Sequence, residues 1–315
     1  MKNVLVTGGA GFIGSHLVDK ILNDTEYNIV VVDNFSTGNY YNIQHNIKNP
    51  RVKLRVEDFT SIGILQAIAD NKFEYVFHLA ASASVPYSIK NPVNTNTNNV
   101  TKTLALLDSC RYGKVKKFIF SSSSAIYGDA KKVPTPESEP KSPNSPYALQ
   151  KAVIEDCCEL YNKLYGFQSV CLRYFNVFGP RQSGSGPYAN VISSWCENGI
   201  RNKRIRLDGD GSAQRDFVYV GDVARANLLA AKSEIEFGCY NIGSGNPYSI
   251  KHILDIFLRE FGDIDIDRAP QRLGDVSYTE AETYLASEKI DYMPSNRFFE
   301  HDLVDTFNWY KENIK

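Results

Sequence analysis

Residues 4–14 read VLVTGGAGFIG, and this stretch decides the fold. The apolar residues 4–7 are typical of a buried β-strand, and an amphipathic segment with helical spacing follows the glycines. Gly8, Gly11 and Gly14 stand at three-residue intervals between the two. A turn this tight points backbone N–H groups and a helix N-terminus at an anion, as a pyrophosphate requires. A glycine cluster alone also fits a plain structural turn.

An acidic residue at the end of the next predicted strand favours the pyrophosphate interpretation. Asp33 lies 19 residues after Gly14 and is followed by Asn34 rather than by arginine. A carboxylate at this place accepts both ribose hydroxyls of an adenosine and repels a 2′-phosphate. The sequence therefore predicts a dinucleotide site that takes NAD in preference to NADP.

Short β-branched runs alternate with longer amphipathic segments through the first half of the chain. The predicted strands are residues 3–7, 28–32, 52–56, 75–79, 117–121 and 169–173, and the predicted helices are 14–23, 62–70, 94–110 and 147–165. This alternation predicts an α/β fold with a Rossmann-type doubly wound parallel sheet. Its ligands are expected at the carboxyl ends of the strands.

Glycine and proline become dense after about Phe175, which predicts a smaller α/β substrate-binding domain. We expect residues 1–172 and 216–242 to form the NAD-binding Rossmann domain. Residues 173–215 and 243–315 would form the second domain, with a closing helix at 301–315.

Composition excludes several classes of protein. With 43% hydrophobic residues among 315, the chain can bury a sizeable core, so disorder is not expected. Lys and Arg number 35 against 36 Asp and Glu, which argues against nucleic acid or an anionic membrane as the main partner. Six cysteines without a CxxC pair predict neither a metal site nor a disulfide framework and fit a reducing cytoplasm. No apolar run approaches the ~18 residues of a membrane span.

Ser123, Tyr147 and Lys151 form a candidate catalytic set. Tyr147 and Lys151 are four residues apart on a predicted helix, so phenol and ammonium share one helix face. A free phenol with a pKa of about 10 is a poor base at neutral pH, and a neighbouring cation favours the phenolate. Ser123 closes a strand and could hold the same substrate hydroxyl. A YxxxK pattern also arises by chance in helices, but the glycine loop favours the catalytic interpretation.

Several motifs in a fixed order resemble the extended short-chain dehydrogenase/reductases that act on nucleotide sugars, and within them the UDP-hexose 4-epimerases. The motifs are TGGAGFIGSHL from Thr7, VDNFSTG around Asp33, EDFT around Asp58, HLAASASVPYS from His78, FSSSSAIYGD from Phe120, SPYALQK around Tyr147, RYFNVFGPRQ from Arg173, QRDFVYVGDVARA from Gln214 and RLGDV from Arg272. The resemblance covers nearly the whole chain. It implies an NAD-dependent isomerase that binds a UDP-sugar.

The resemblance also implies roles for individual residues. Ser123, Tyr147 and Lys151 fall on the family's catalytic positions, and the latter two would also contact NAD. The other residues implied to bind NAD are Gly8, Gly11, Phe12, Ile13, Gly14, Asp33, Asn34, Ser36, Thr37, Gly38, Asp58, Phe59, Leu79, Ala80, Ala81 and Asn98. Those implied to bind the UDP-sugar are Ser84, Ser123, Ser124, Phe175, Asn176, Asn190, Arg215, Arg272, Asp275 and Thr279. The two arginines would face the diphosphate, which their planar forks suit.

Sister activities need other residues. Related 4,6-dehydratases carry an Asp-Glu pair just after the catalytic serine or threonine, where this chain has Ser124 and Ala125. Uronic-acid epimerases usually have Thr in place of Asn176 and a basic residue near Ser183. The resemblance therefore favours 4-epimerisation of an uncharged sugar through a transient 4-keto intermediate. A nucleotide-sugar dehydratase or reductase, or a non-catalytic NAD-binding regulator, remains the alternative.

The family resemblance marks Thr279 as the residue that decides whether 2-acetamido sugars fit. A small side chain leaves room there, so we expect UDP-GlcNAc and UDP-GalNAc to be accepted beside UDP-glucose and UDP-galactose. The helices predicted at 94–110 and 147–165 usually form a dimer interface in this family, which implies a homodimer.

Overall fold

The computed structural model describes residues 2–186, 189–270, 277–295 and 299–314. Its strands are β1 Asn3–Thr7, β2 Asn28–Asp33, β3 Val52–Val56, β4 Tyr75–His78, β5 Lys117–Ser123, β6 Ser169–Tyr174, β7 Asn176–Phe178, β8 Arg204–Asp208, β9 Gln214–Tyr219, β10 Phe237–Ile242, β11 Pro247–Ser249 and β12 Asp265–Ala269. Its helices are α1 Phe12–Asp24, α2 Ile62–Ala69, α3 Val85–Lys90, α4 Pro92–Asn96, α5 Lys102–Tyr112, α6 Pro146–Tyr165, α7 Val191–Asn202, α8 Val220–Lys232, α9 Ile250–Phe261, α10 Tyr284–Ile290 and α11 Phe299–Asn313.

Seven parallel strands form the main sheet in the order β10-β6-β5-β4-β1-β2-β3. The chain runs outward from β1 to β3 and then returns to β4 on the other side of β1. This reversal opens a crevice at the carboxyl ends of β1 and β4, where doubly wound sheets bind ligands. The predicted doubly wound sheet is confirmed, and all six predicted strands belong to it.

Two apolar layers cover the sheet. One packs side chains of α1 and α8 against it, with Leu17 and Val223 among them. The other packs α2, α5 and α6, with Leu106 and Ile154 among its fully buried members. Because both faces are covered, β6 is buried throughout and β1 is buried after its first residue, as is typical of parallel sheets.

A third apolar cluster belongs to the later part of the chain. It is rich in aromatic residues and joins α7, α9 and α11 to the small sheet β11-β9-β7 and the pair β12-β8. Phe257 stacks on Phe261, and Phe307 meets both rings edge-on. The helix predicted at 301–315 is present and starts two residues earlier.

One predicted helix is interrupted. The segment predicted as a single helix at 94–110 consists of α4, a π turn at Thr97–Thr101, and α5. The π turn brings Asn99 to a buried position. There its side-chain oxygen accepts the Ser82 N–H, and its side-chain nitrogen donates to the Ser82 carbonyl and to the Gln150 side chain. A π turn inserts one residue into the helical repeat and often marks a functional site.

Among the described residues, no helix is both long and apolar enough to cross a bilayer. The same part of the chain holds no group of three His, Cys, Asp or Glu side chains placed to bind a metal ion. All six cysteines are free thiols.

Candidate active site

The turn between β1 and α1 brings backbone atoms into direct contact. Gly8 has φ +70°, and a Cβ there would lie 2.7 Å from the Ala80 backbone nitrogen. A Cβ on Gly14 would lie 2.1 Å from the Gly8 carbonyl oxygen, which already accepts the Gly11 N–H at 3.0 Å. Only glycine fits at positions 8 and 14. Among the described residues no side chain caps the start of α1, which leaves its first N–H groups available to an anion such as a diphosphate.

Asp33 ends β2 beside this turn. One carboxylate oxygen accepts the Ala10 N–H and the other the Phe35 N–H, both at 2.9 Å. Burial raises the pKa of Asp33, and the two N–H donors lower it in part. A Cβ on Gly38 would lie 2.7 Å from the carboxylate, so the backbone passes close to it. The carboxylate keeps free lone pairs, which suits the ribose hydroxyls of NAD. Asn34, Ser36 and Thr37 lie in the same loop, where Asn34 accepts the Ser36 N–H at 3.1 Å.

Asp58 follows β3 and is held by an ion pair that sequence reasoning missed. Lys102 Nζ of α5 lies 2.5 Å from one carboxylate oxygen, and the Thr60 N–H donates to the other at 2.9 Å. Burial raises the pKa of Asp58, but the bonds from Lys102 and Thr60 outweigh it and leave the pKa lowered. The neighbouring Phe59 is buried and packs edge-on against His78.

The loop after β4 contains Leu79, Ala80 and Ala81 and packs directly against the glycine turn at Gly8. The Leu79 N–H donates to the Thr7 carbonyl at 3.2 Å, which continues the sheet for one bond beyond β4. Asn98, in the π turn, donates to Ser82 Oγ at 3.2 Å. Ser84 caps α3 by accepting the Tyr87 N–H at 3.2 Å and is buried.

Ser123, Tyr147 and Lys151 lie at the adjoining ends of β5 and α6. Lys151 is buried and its Nζ donates to the Ser121 carbonyl at 2.6 Å. The same Nζ lies 5.8 Å from the centre of the Tyr147 ring. Burial lowers the pKa of Lys151 to about 7, while the negative charge of Glu155 opposes this shift. The structure therefore places the ammonium beside the phenol, and Ser123 ends the strand whose Ser121 carbonyl holds the lysine.

Around Ser123 the chain forms a short 3-10 turn, Ser124–Tyr127. Ser123 Oγ accepts the Ala125 N–H at 3.2 Å and thereby starts the turn. Ser124 is its first residue, so the two serines implied to contact the substrate are adjacent at the strand end.

Asn176 and Thr279 bond the backbone of Asp216, and Phe175 directly precedes Asn176. Phe175 is buried and its N–H continues the sheet by donating to Ile242. Thr279 Oγ1 accepts the Asp216 N–H at 3.2 Å and the Asn176 side-chain amide at 3.4 Å. The fully buried Asp216 carboxylate accepts N–H groups of Ser244, Gly245 and Ala281, and also the Ser244 hydroxyl. Sequence reasoning missed this hub because its partners are up to 65 residues away.

Asn190 and Arg215 occupy defined positions in the later part of the chain. Asn190 caps α7: its side-chain oxygen accepts the Ser193 N–H at 2.9 Å, and its amide donates to Val177 at 3.0 Å. Arg215 is on β9, where it pairs with Tyr248 of β11, and it donates to the Gln214 carbonyl at 2.9 Å. Arg272 and Asp275 lie outside the described residues.

Comparison with known proteins agrees with this geometry. A model of the NAD dependent epimerase/dehydratase family matches residues 4–243. The chain belongs to this family. Its cofactor is NAD and its activity is that of an epimerase, an isomerase.

Individual relatives are similar over most of their length. A putative UDP-glucose 4-epimerase of Methanocaldococcus jannaschii is 41% identical over 260 residues, 82% of each chain. A UDP-N-acetylglucosamine 4-epimerase from Methanobrevibacter ruminantium, solved with UDP-N-acetylmuramic acid, superposes with a TM-score of 0.94 at 38% identity and covers 99% of both chains. The UDP-glucose 4-epimerase of Thermotoga maritima, solved with UDP-glucose, superposes with a TM-score of 0.91 at 38% identity. The match covers 99% of this chain and 100% of that one.

The backbone contact at the glycine turn is testable. In Gly14→Ala the new methyl group would overlap the Gly8 carbonyl. We expect a loss of stability of about 1–3 kcal/mol and a marked loss of bound NAD. The measurement is NAD content by absorbance after purification, together with the melting temperature.

Gly63→Ala is the matched control. Gly63 lies in α2, and a Cβ there would meet the ends of two flexible side chains, Arg55 at 3.1 Å and Glu57 at 3.9 Å. Its NAD content should equal that of the wild type. If Gly14→Ala retained full NAD content, the glycine turn would not be the diphosphate site.

Proposed function

We propose that the chain interconverts the C4 epimers of a UDP-hexose, UDP-GlcNAc with UDP-GalNAc, UDP-glucose with UDP-galactose, or both pairs. The observation that carries this proposal is the buried Lys151 ammonium beside the Tyr147 phenol, at the strand end that presents Ser123. These groups lie on the same sheet edge as the glycine turn and Asp33. Similarity to epimerases solved with UDP-sugars supports the substrate class.

In the proposed reaction Tyr147 removes the proton from the sugar 4-hydroxyl. The Lys151 ammonium stabilises the phenolate, and Ser123 bonds the hydroxyl and keeps it in line with the phenol. Bound NAD would supply the hydride acceptor and donor for C4 of the sugar. After the 4-keto sugar turns and presents the other face of C4, Tyr147 returns the proton to the 4-oxygen. The residues implied to hold NAD are those of the glycine turn, the Asp33 loop, Asp58 and the loop after β4.

The sugar must turn while its nucleotide stays in place. We assign the grip on the diphosphate to Arg215 and Arg272, and the contacts nearer the sugar to Ser84, Ser124, Asn176 and Thr279. Positions 124 and 125 carry no carboxyl group, so they offer no acid and base for elimination of water. This argues for epimerisation rather than dehydration.

Tyr147→Phe should lower turnover by about 100-fold or more, because the proton acceptor is removed, while NAD content stays unchanged. Product formation from UDP-glucose and, separately, from UDP-GlcNAc is measured by chromatography. Tyr161→Phe is the control, since Tyr161 is on the same helix and its hydroxyl faces Asp108 at 3.5 Å. Activity of Tyr147→Phe near that of the wild type would refute the mechanism and favour a regulatory role.

Thr279 is proposed to set the room for an acetamido group. Thr279→Tyr should lower kcat/KM for UDP-GlcNAc relative to UDP-glucose by about tenfold or more, because the larger ring fills space beside Asn176. Thr279→Val removes the hydroxyl without enlarging the side chain and should leave that ratio unchanged. Equal losses for both sugars in Thr279→Tyr would show that this residue does not select between them.

A homodimer is proposed from an exposed apolar surface on α6 and the segment α3–α5. Leu149, Leu160 and Leu164 of α6 are 53%, 50% and 61% exposed, and their spacing of 11 and 4 residues places them on one helix face. Ile89 and Val93, on neighbouring α3 and α4, are 60% and 79% exposed. Several exposed apolar side chains on neighbouring helices are typical of a protein–protein interface.

Leu160→Asp should therefore shift the protein from dimer to monomer in sedimentation velocity. Met293→Asp is the control, because Met293 is 67% exposed but lies after α10, outside these helices. A wild-type protein that sediments as a monomer at micromolar concentration would contradict the proposal.

A further inference from the structure

Two buried hydrogen bonds fasten α6 to the end of β5 next to the catalytic residues. Lys151 Nζ donates to the Ser121 carbonyl at 2.6 Å, and the Ser122 hydroxyl donates to Glu155 Oε1, also at 2.6 Å. Lys151 and Glu155 are four residues apart and face the same strand. The first bond belongs to a residue of the proposed mechanism, whereas the mechanism does not use the second.

The Glu155 carboxylate is itself held rigidly. It is 1% exposed and accepts Arg173 Nε at 3.0 Å and Arg173 Nη2 at 2.8 Å. Lys141 Nζ lies 3.1 Å away on another side. Arg173 is on β6, directly beside Ser122 in the sheet register. A buried carboxylate with a bidentate arginine has little freedom to move, so Ser122 bonds to a fixed point.

The bond at Ser122 bears on the two catalytic groups. Ser123 directly follows Ser122 in the strand. Successive side chains of a strand point to opposite faces, so fixing Ser122 on one face also fixes the direction of Ser123 on the other. Glu155 lies two helical turns after Tyr147 on α6. The Ser122–Glu155 bond therefore constrains the separation between the Ser123 hydroxyl and the Tyr147 phenol.

We propose that Ser122, through Glu155, is a positioning residue for the epimerisation: it fixes β5 against α6 so that Ser123 and Tyr147 reach the same substrate hydroxyl. This inference rests on the proposed function. It predicts that loss of the bond slows the chemical step without weakening the binding of the UDP-sugar or NAD. Small displacements of reacting groups are known to cost up to about 100-fold in rate.

The test compares Ser122→Ala with Ser122→Thr and Ser169→Ala in the full-length protein. Ser122→Ala removes the donor and leaves the Glu155–Arg173 pair intact, whereas Ser122→Thr keeps a hydroxyl at the same place. Ser169 is the matched control, because it is a fully buried serine on the adjacent β6 whose hydroxyl has no hydrogen-bond partner among the described residues. The measurements are kcat, KM, NAD content and melting temperature.

We expect kcat of Ser122→Ala to fall about tenfold or more, with KM and NAD content close to those of the wild type and a melting temperature lowered by a few degrees through the lost bond to a buried carboxylate. Ser122→Thr should recover most of the rate, and Ser169→Ala should match the wild type. An unchanged kcat in Ser122→Ala overturns the inference. A fall in kcat that parallels a loss of NAD or a rise in KM overturns it as well, because it shows a general structural role.

Wild-type activity separates this inference from the proposed function. If the wild-type protein interconverts neither pair of UDP-sugars, the proposed function fails. If the wild type is active and Ser122→Ala is equally active, only the positioning role fails. Glu155→Gln is less informative, because it leaves the buried Arg173 charge without its counter-ion and can prevent folding.

Discussion

The direct contact between backbone segments at the glycine turn, with no side chain between them, is the constraint on which the rest of the structure depends. Gly14 of α1 packs on the Gly8 carbonyl, and Gly8 packs on the Ala80 backbone of the neighbouring loop. These contacts set the distance between α1, β1 and β4 at the edge where the sheet order reverses. Any side chain at Gly8 or Gly14 would push these elements apart and close the space in which a diphosphate has to fit.

Helix α6 connects that crevice to the buried core. Its Ile154 and Cys158 pack under the sheet, while Tyr147 and Lys151 of the same helix reach the strand ends. Burial disfavours the charged form of Lys151. Three neighbours partly offset this cost: the Ser121 carbonyl, the face of the Phe120 ring at 4.7 Å and the Glu155 carboxylate. With a pKa of about 7 the lysine is only partly charged at neutral pH, and a new negative charge beside it favours the charged form. The lysine is therefore suited to respond when the neighbouring phenol loses its proton.

The features predicted correctly from the sequence are local ones. The glycine spacing and Asp33 predicted the first βαβ unit, because strand, turn and helix are adjacent in the chain and each has its own composition. The spacing of Tyr147 and Lys151 placed both on one face of α6. Six strands of the main sheet were predicted within two residues at their ends.

The features that were missed depend on contacts between distant segments. Strand β10, the Phe237–Ile242 segment, pairs with β6 nearly 70 residues earlier, and no short pattern marks that partner. The π turn contains Asn99, which hydrogen-bonds Ser82 and Gln150. The helical spacing of residues 94–110 predicts neither of these contacts. The ion pairs of Asp58 with Lys102 and of Glu155 with Arg173 likewise join different elements.

The Asp216 carboxylate joins two segments that are distant in the chain. The turn at Ser244 and Gly245 and the strand-like stretch that ends at Ala281 donate to the same pair of oxygens. Breaking one set of bonds leaves a buried charge under-solvated, so detaching either segment weakens the hold on the other. We therefore expect the two segments to open together, so that the backbone amides of Ser244, Gly245 and Ala281 exchange with solvent in a single opening event.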